Sequence, residues 1–166
     1  MIVLGIDPGT AITGWGVVRE EADGRPRLVD FGTIQTAASK PLPQRLRQIF
    51  RQVTALMERF RPEAVAVEEI FFSKNVRTAM SVGQARGVIL LAGALADRPV
   101  HGYTPLQVKQ AISGYGGADK AQVQQMTALL LGLDAAPTPD DAADAIAVAV
   151  CHLHSARLQS LLAGQA

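Results

Sequence analysis

The 166-residue chain has a single cysteine, Cys151, which excludes internal disulfides and any cysteine-based metal cage and fits a reducing cytoplasm. It also lacks an apolar run near the ~20 residues that span a bilayer. The longest, Gly87 to Ala96, is bracketed by Arg86 and Asp97. No basic stretch precedes the apolar start, so no signal peptide is expected. No internal repeat or linker divides the chain, and no Ser/His/Asp or Cys/His nucleophile motif is present. His101 stands alone on a strand, while His152 and His154 lie two apart on a helix and diverge. The expectation is one soluble, cytoplasmic domain over residues 1–158, no membrane association, and a frayed tail over 159–166.

What is present begins with Met-Ile-Val-Leu-Gly-Ile-Asp-Pro-Gly, an apolar run that ends at Asp7 in a Pro-Gly turn. This predicts a buried central strand. A carboxylate at its end is poorly solvated and needs a cation, a donor set or a proton. An Asx-type turn is the plainer alternative for Asp7.

Three strands in succession, from Met1, from Ile12 to Arg19 and from Leu28 to Thr36, predict an antiparallel meander. Apolar residues at three- and four-residue spacing predict a helix from Pro41 to Arg61, with Arg45, Arg47, Arg51, Arg59 and Arg61 read as a solvated face rather than a DNA surface. A strand from Glu63 to Ile70 follows, then an apolar helix from Asn75 to Ala96. Gly83, Gly87 and Gly93 in that helix predict a close backbone approach, within the fold or across a dimer. Pro99 to Tyr103 is a short strand and Thr104-Pro105 opens a helix carrying Lys109. Ser113 to Asp119 breaks it, Lys120 to Leu131 is helical, and the last helix runs from about Pro139 to Leu158 or beyond. The order is that of an α/β fold with a mixed sheet.

Net charge is only +1, but its distribution is uneven. Bases dominate between Ile70 and Gln125, and acids from Met126 onward. Such a division suits a metal-dependent phosphodiester enzyme. Glu68 and Glu69 end the fourth strand on opposite faces, so at most one shares a site with Asp7; a solvated strand end is the plainer alternative. Asp141 and Asp144 share one face of the last helix. Capping by Thr138-Pro139 and the helix dipole explain Asp140 and Asp141, but not Asp144 inside an alanine-rich run. Asp7, one Glu and the two helix acids would hold Mg²⁺ or Mn²⁺ rather than zinc. Two such ions fit in-line phosphodiester hydrolysis, one activating water and the other stabilising the leaving oxygen.

Gly5-Ile6-Asp7-Pro8-Gly9, Ala66-Val67-Glu68, Lys74-Asn75, Gly83-Gln84-Ala85-Arg86-Gly87, Gln107-Val108-Lys109-Gln110 and Asp141-Ala142-Ala143-Asp144-Ala145 together resemble the RuvC family of bacterial crossover-junction endodeoxyribonucleases. The resemblance extends from residue 1 to about 155. It implies a ribonuclease-H-like fold with a five-stranded sheet and a homodimer formed through the glycine-bearing helix. It also implies paired symmetric nicking of four-way (Holliday) DNA junctions in recombination and repair, with Mg²⁺, two ions per site, Mn²⁺ substituting, and a branch-migration motor complex as partner. Asp7, Glu68, Asp141 and Asp144 match the catalytic, metal-binding carboxylates. Phe71 matches an aromatic that stacks on a base near the junction centre. Lys109 and Lys120 match bases near the scissile phosphate, and the loop around Tyr115 is expected to let Lys120 close over DNA. Lys74, Asn75, Arg77 and Arg86 fall in DNA-contacting stretches, with a structural ion pair the alternative for Arg86. Asp140 is an extra acid that could compete for metal. Two other classes stay open: a catalytically silent junction-binding protein, and an ATP-binding domain of the actin and sugar-kinase type, whose phosphate turn Thr10 would complete.

Overall fold

The computed structural model describes residues 1–69 and 76–163, with residues 76–78 given by their backbone alone. Strands β1 (Ile2–Asp7), β2 (Ile12–Glu20) and β3 (Pro26–Gln35) form the antiparallel meander. After helix α1 (Leu42–Phe60), β4 (Ala64–Glu68) returns parallel to β1. Helix α2 (Val76–Leu95) leads to β5 (Val100–Tyr103), parallel to β4, and α3 (Pro105–Ser113), α4 (Lys120–Leu130) and α5 (Asp140–Ala163) complete the fold. The sheet order is β3-β2-β1-β4-β5, so β1 is central and the expected mixed five-stranded sheet is present. Its continuous apolar run follows from burial on both faces.

The two faces have different partners. Leu4, Ile6, Val65 and Val67 pack with Ile49, Val53 and Ile89 of α1 and α2. Val3 and Ala66 pack with α5. Side chains alternate along a strand, so Gly5 and Asp7 share Val3's face, and Glu68 shares Ala66's. Both carboxylates therefore project from the sheet on the α5 side.

Glycine decides how closely α5 can lie there. Gly5 pairs with Gly16, and Asp7 pairs with Gly14. A Cβ on Gly14 would run into the carbonyl oxygen of Asp141, and one on Gly5 into that of Ala145. One on Gly16 would sit 2.5 Å from Ile146 Cγ1. From the helix side, Ala142, Ala143, Ala145, Ala147 and Ala149 are all buried. The backbone of α5 thus rests directly on β1 and β2, and its first turn lies beside the end of β1. Although α5 is long and apolar enough to cross a bilayer, it is this buried core helix.

Some expectations change. Helix α5 continues through Ala163, so residues 159–163 are helical rather than frayed, though exposed. The helical hydrogen bonds of α5 begin at the Pro139 carbonyl, which accepts from the amides of Ala142 and Ala143, so Pro139 precedes the first turn rather than opening it. In α2, Gly93 faces the side chain of Val100 rather than another backbone, and Gly87 meets nothing within 4 Å among the described residues. His101 is not isolated: its ring lies 4.5 Å from that of His152, whose Nδ1 is 2.7 Å from the Tyr103 hydroxyl.

The substitution Gly14→Ala forces the start of α5 off the sheet. Overpacking of this kind costs about 1–3 kcal/mol, so thermal unfolding should show a melting temperature several degrees lower. An unchanged melting temperature would show that α5 does not rest on this glycine.

Candidate active site

Asp7 ends β1, Glu68 ends β4, and Asp141 and Asp144 stand in the first two turns of α5. The carboxyls of Asp7 and Glu68 are hydrogen-bonded to each other. No backbone amide among the described residues caps Asp7, so it does not form the Asx turn. Glu69 points the other way. Its Oε1 lies over Gly102 together with a terminal nitrogen of Arg86, and only Glu68 joins Asp7.

Burial is the main influence on this pair. Burial, then the charge of Glu68 and the hydrogen bond to it, then the charges of Asp144 and Asp141, push Asp7 up from 3.8 to about 8. Glu68 is also raised, by burial and by Asp144, while the bond to Asp7 and the charge of Lys120 pull it back. Two adjacent desolvated carboxyls cannot both ionise cheaply, so the pair keeps a proton at neutral pH.

Asp144 has a different solution. Its Oδ2 accepts from Lys120 Nζ at 2.9 Å, and the same ammonium lies 3.3 Å from Asp140. Burial still outweighs the ion pair and raises Asp144. Exposed Asp140 is lowered by hydrogen bonds from Gln124 and Lys120. Burial works against the charge on Lys120, but Asp144 and Asp140 together raise it. Glu68, Lys109, Lys120 and Asp144 share the wall of a cleft of about 180 Å³ with Val108 and Val123.

The donor set is therefore all oxygen, electrostatically coupled, and short of positive charge, which suits a hard divalent cation rather than zinc. Among the described residues no three of these groups already converge on one point. Asp7 and Glu68 are closed on each other, and Asp144 is closed on Lys120.

Of the other expected site residues, Lys109 and Lys120 join the cleft, and Lys120 needs no loop closure to reach the carboxylates. Arg86 lies beside Glu69 at the rim of β5, and its Nε is buried without a hydrogen-bond partner among the described residues. Phe71, Lys74 and Asn75 fall outside the described residues, as does the side chain of Arg77. Gly14 and Gly16 escaped notice in the sequence. The signal was there: alternate glycines on one strand, a glycine in the next, and an alanine-rich helix to fill the space.

A five-stranded mixed sheet with acids at the ends of its two central parallel strands and on an overlying helix has the architecture of a ribonuclease-H-like hydrolase. A family model described as crossover junction endodeoxyribonuclease RuvC matches residues 3–152. The chain is 57% identical to the RuvC of Syntrophomonas wolfei, over 100% of this chain and 96% of that one. It is 58% identical to the RuvC of Chloroflexus aurantiacus, over 94% of each. The structure of Thermus thermophilus RuvC in complex with Holliday junction substrate superposes with a TM-score of 0.91 at 43% identity, over 96% of each chain. The chain belongs to the RuvC family of crossover junction endodeoxyribonucleases.

The raised pKa of Asp7 has a signed consequence for the metal-free protein. Between the unperturbed 3.8 and about 8, the folded chain holds a proton that the unfolded chain has released. Stability from this group is full below the lower value and is lost as pH rises through the upper one. Asp7→Asn should remove that dependence and raise the melting temperature at pH 8–9 in chelator, by about 3 °C or more. Parallel stability profiles for the two proteins across pH 4–9 would contradict the assignment.

Proposed function

We infer that this chain resolves four-way (Holliday) DNA junctions by paired symmetric nicks, in recombination and repair, hydrolysing the phosphodiester at Asp7, Glu68, Asp141 and Asp144. The carrying observation is the seating of α5 on Gly5, Gly14 and Gly16, which sets its acids beside the coupled Asp7–Glu68 pair in a chain of this family. Mg²⁺ is the proposed cofactor, two ions per site with Mn²⁺ able to substitute, and when bound it supplies an activated water and stabilises the leaving oxygen. The four carboxylates would hold it, with Asp7 losing its proton. Lys120 can turn from Asp144 to a phosphate, and Lys109 reaches the same cleft. Asp140, exposed and held by Lys120 and Gln124, is left out of the donor set. The roles of Phe71 in stacking and of Lys74, Asn75, Arg77 and Arg86 in DNA contact rest on the resemblance. So do a branch-migration motor partner and a cytoplasmic location, with residues 1–158 as the single nuclease domain.

A homodimer is supported by an exposed apolar seam on α2. Met80, Gly87, Leu91 and Leu95 recur at three- to four-residue multiples on one helix face, and Met80, Leu91 and Leu95 are 64%, 53% and 67% exposed. A seam of this period matches a facing helix. The ATP-binding alternative is disfavoured by Thr10, whose buried hydroxyl donates to the Ser81 carbonyl oxygen instead of facing a phosphate.

Two measurements test this function. On a synthetic four-way junction with Mg²⁺, Asp7→Asn should cut at least about a hundredfold more slowly than wild type while binding as well. Equal cutting would refute the site; binding without cutting by both proteins would favour a silent junction binder. In sedimentation, Leu91→Asp should shift the protein to monomer and uncouple the two nicks. A dimer that persists would place the interface elsewhere.

A further inference from the structure

No Asp or Glu occurs between Asp30 and Glu58, whereas Lys40, Arg45, Arg47 and Arg51 all fall in that interval. The structure turns this run into a surface. Lys40, Gln44, Arg47, Gln48, Arg51 and Gln52 line one shallow groove along the outer face of α1. The opposite face of α1 buries Ile49, Val53 and Met57 in the core, so the groove side chains contribute nothing to that packing. Arg47 and Arg51 are exposed and have no ion-pair partner among the described residues. The first turn of α1 holds no acid either.

The stripe begins at the catalytic end of the sheet. The strand β3 ends at Gln35, opposite Ile12 in the register. The Thr36 amide donates to the carbonyl of Ala11 at 3.0 Å, and its hydroxyl donates to that of Thr10 at 2.5 Å. Thr10 and Ala11 belong to the turn that follows Asp7. Arg45 Nε in turn donates to the Thr36 hydroxyl at 2.8 Å, and Gln48 Nε2 to the Gln35 carbonyl at 2.7 Å. The front half of α1 is thereby tied to the Asp7 turn, and Arg45 is spent on that tie. Among the described residues Arg47 and Arg51 remain free to meet a ligand, ~6 Å apart along the helix axis, while Lys40 Nζ donates one long bond, to Gln48 Oε1 at 3.4 Å.

We propose that this face of α1 is a second DNA-backbone contact, gripping a duplex arm of the junction whose crossover is at the carboxylates. The inference rests on the junction-cutting function proposed above. Guanidinium and ammonium groups interleaved with side-chain amides, without an intervening acid, complement phosphate oxygens and read no sequence. The surface adds affinity and orientation rather than chemistry.

Each phosphate contact adds about 0.9 to the log–log salt dependence of binding. The double variant Arg47→Gln/Arg51→Gln is compared with wild type for binding a labelled four-way junction in chelator across a salt series. The expected results are a slope flatter by about 2 and affinity about tenfold weaker at physiological salt. Single-turnover cutting at saturating protein should stay within about twofold, because neither arginine lines the catalytic cleft. Lys40→Gln alone should flatten the slope by about half as much. Slopes and affinities equal to wild type would overturn the proposal and leave an acidic protein as the occupant of the groove. Slower cutting at saturation with an unchanged slope would overturn it too. A wild-type protein that binds but does not cut would instead refute the catalytic assignment, with the slope comparison still valid.

Discussion

The carboxylate-bearing end of this molecule depends on how closely one helix can approach two strands. Gly5, Gly14 and Gly16 remove the side chains that would hold α5 away, and α5 brings alanines to the same surface. With ordinary side chains between them, a helix and a sheet pack ~10 Å apart, the spacing that stacked layers adopt. Here Asp141's own backbone sits over the residue paired with Asp7. The consequence is electrostatic as much as geometric. Four carboxylates from three distant stretches of chain feel one another's charge inside a region that water reaches poorly.

Such a cluster opposes folding unless something offsets its charge. The chain offers two offsets of its own: a proton kept between Asp7 and Glu68, and the Lys120 ammonium on Asp144. Both are exchangeable. A divalent cation can displace the proton, and a DNA phosphate can draw away the lysine. On the proposed function, the groups that make the resting site tolerable are those that metal and DNA would rearrange, which would tie both to one electrostatic balance.

Much of this was legible in the sequence because it is local. The apolar run of β1 reflects burial on two faces, and the acid in Ala-Ala-Asp-Ala-Ile marks Asp144 as a charge needing a partner. Period two separated Glu68 from Glu69, and their opposite directions in the structure follow that rule. What escaped depends on contacts between distant stretches. Lys120, at the start of α4, meets Asp144 across the rest of that helix and the loop after it, and His101 meets His152 across strand and helix. The glycines of α2 signalled a close approach, but their spacing alone did not separate a neighbouring side chain, as at Gly93, from an open surface, as at Gly87. Thr138 and Pro139 both fit rules for a helix start, and the helical hydrogen bonds begin at the proline carbonyl.

On the proposed function, the proton on the Asp7–Glu68 pair holds the place of a metal ion. Proton release on Mg²⁺ addition tests it most directly, read by calorimetry at pH 7 in two buffers of different ionisation enthalpy. Wild type should release about one proton per site, and Asp7→Asn should release almost none. Mg²⁺ binding to wild type without proton release would contradict the claim.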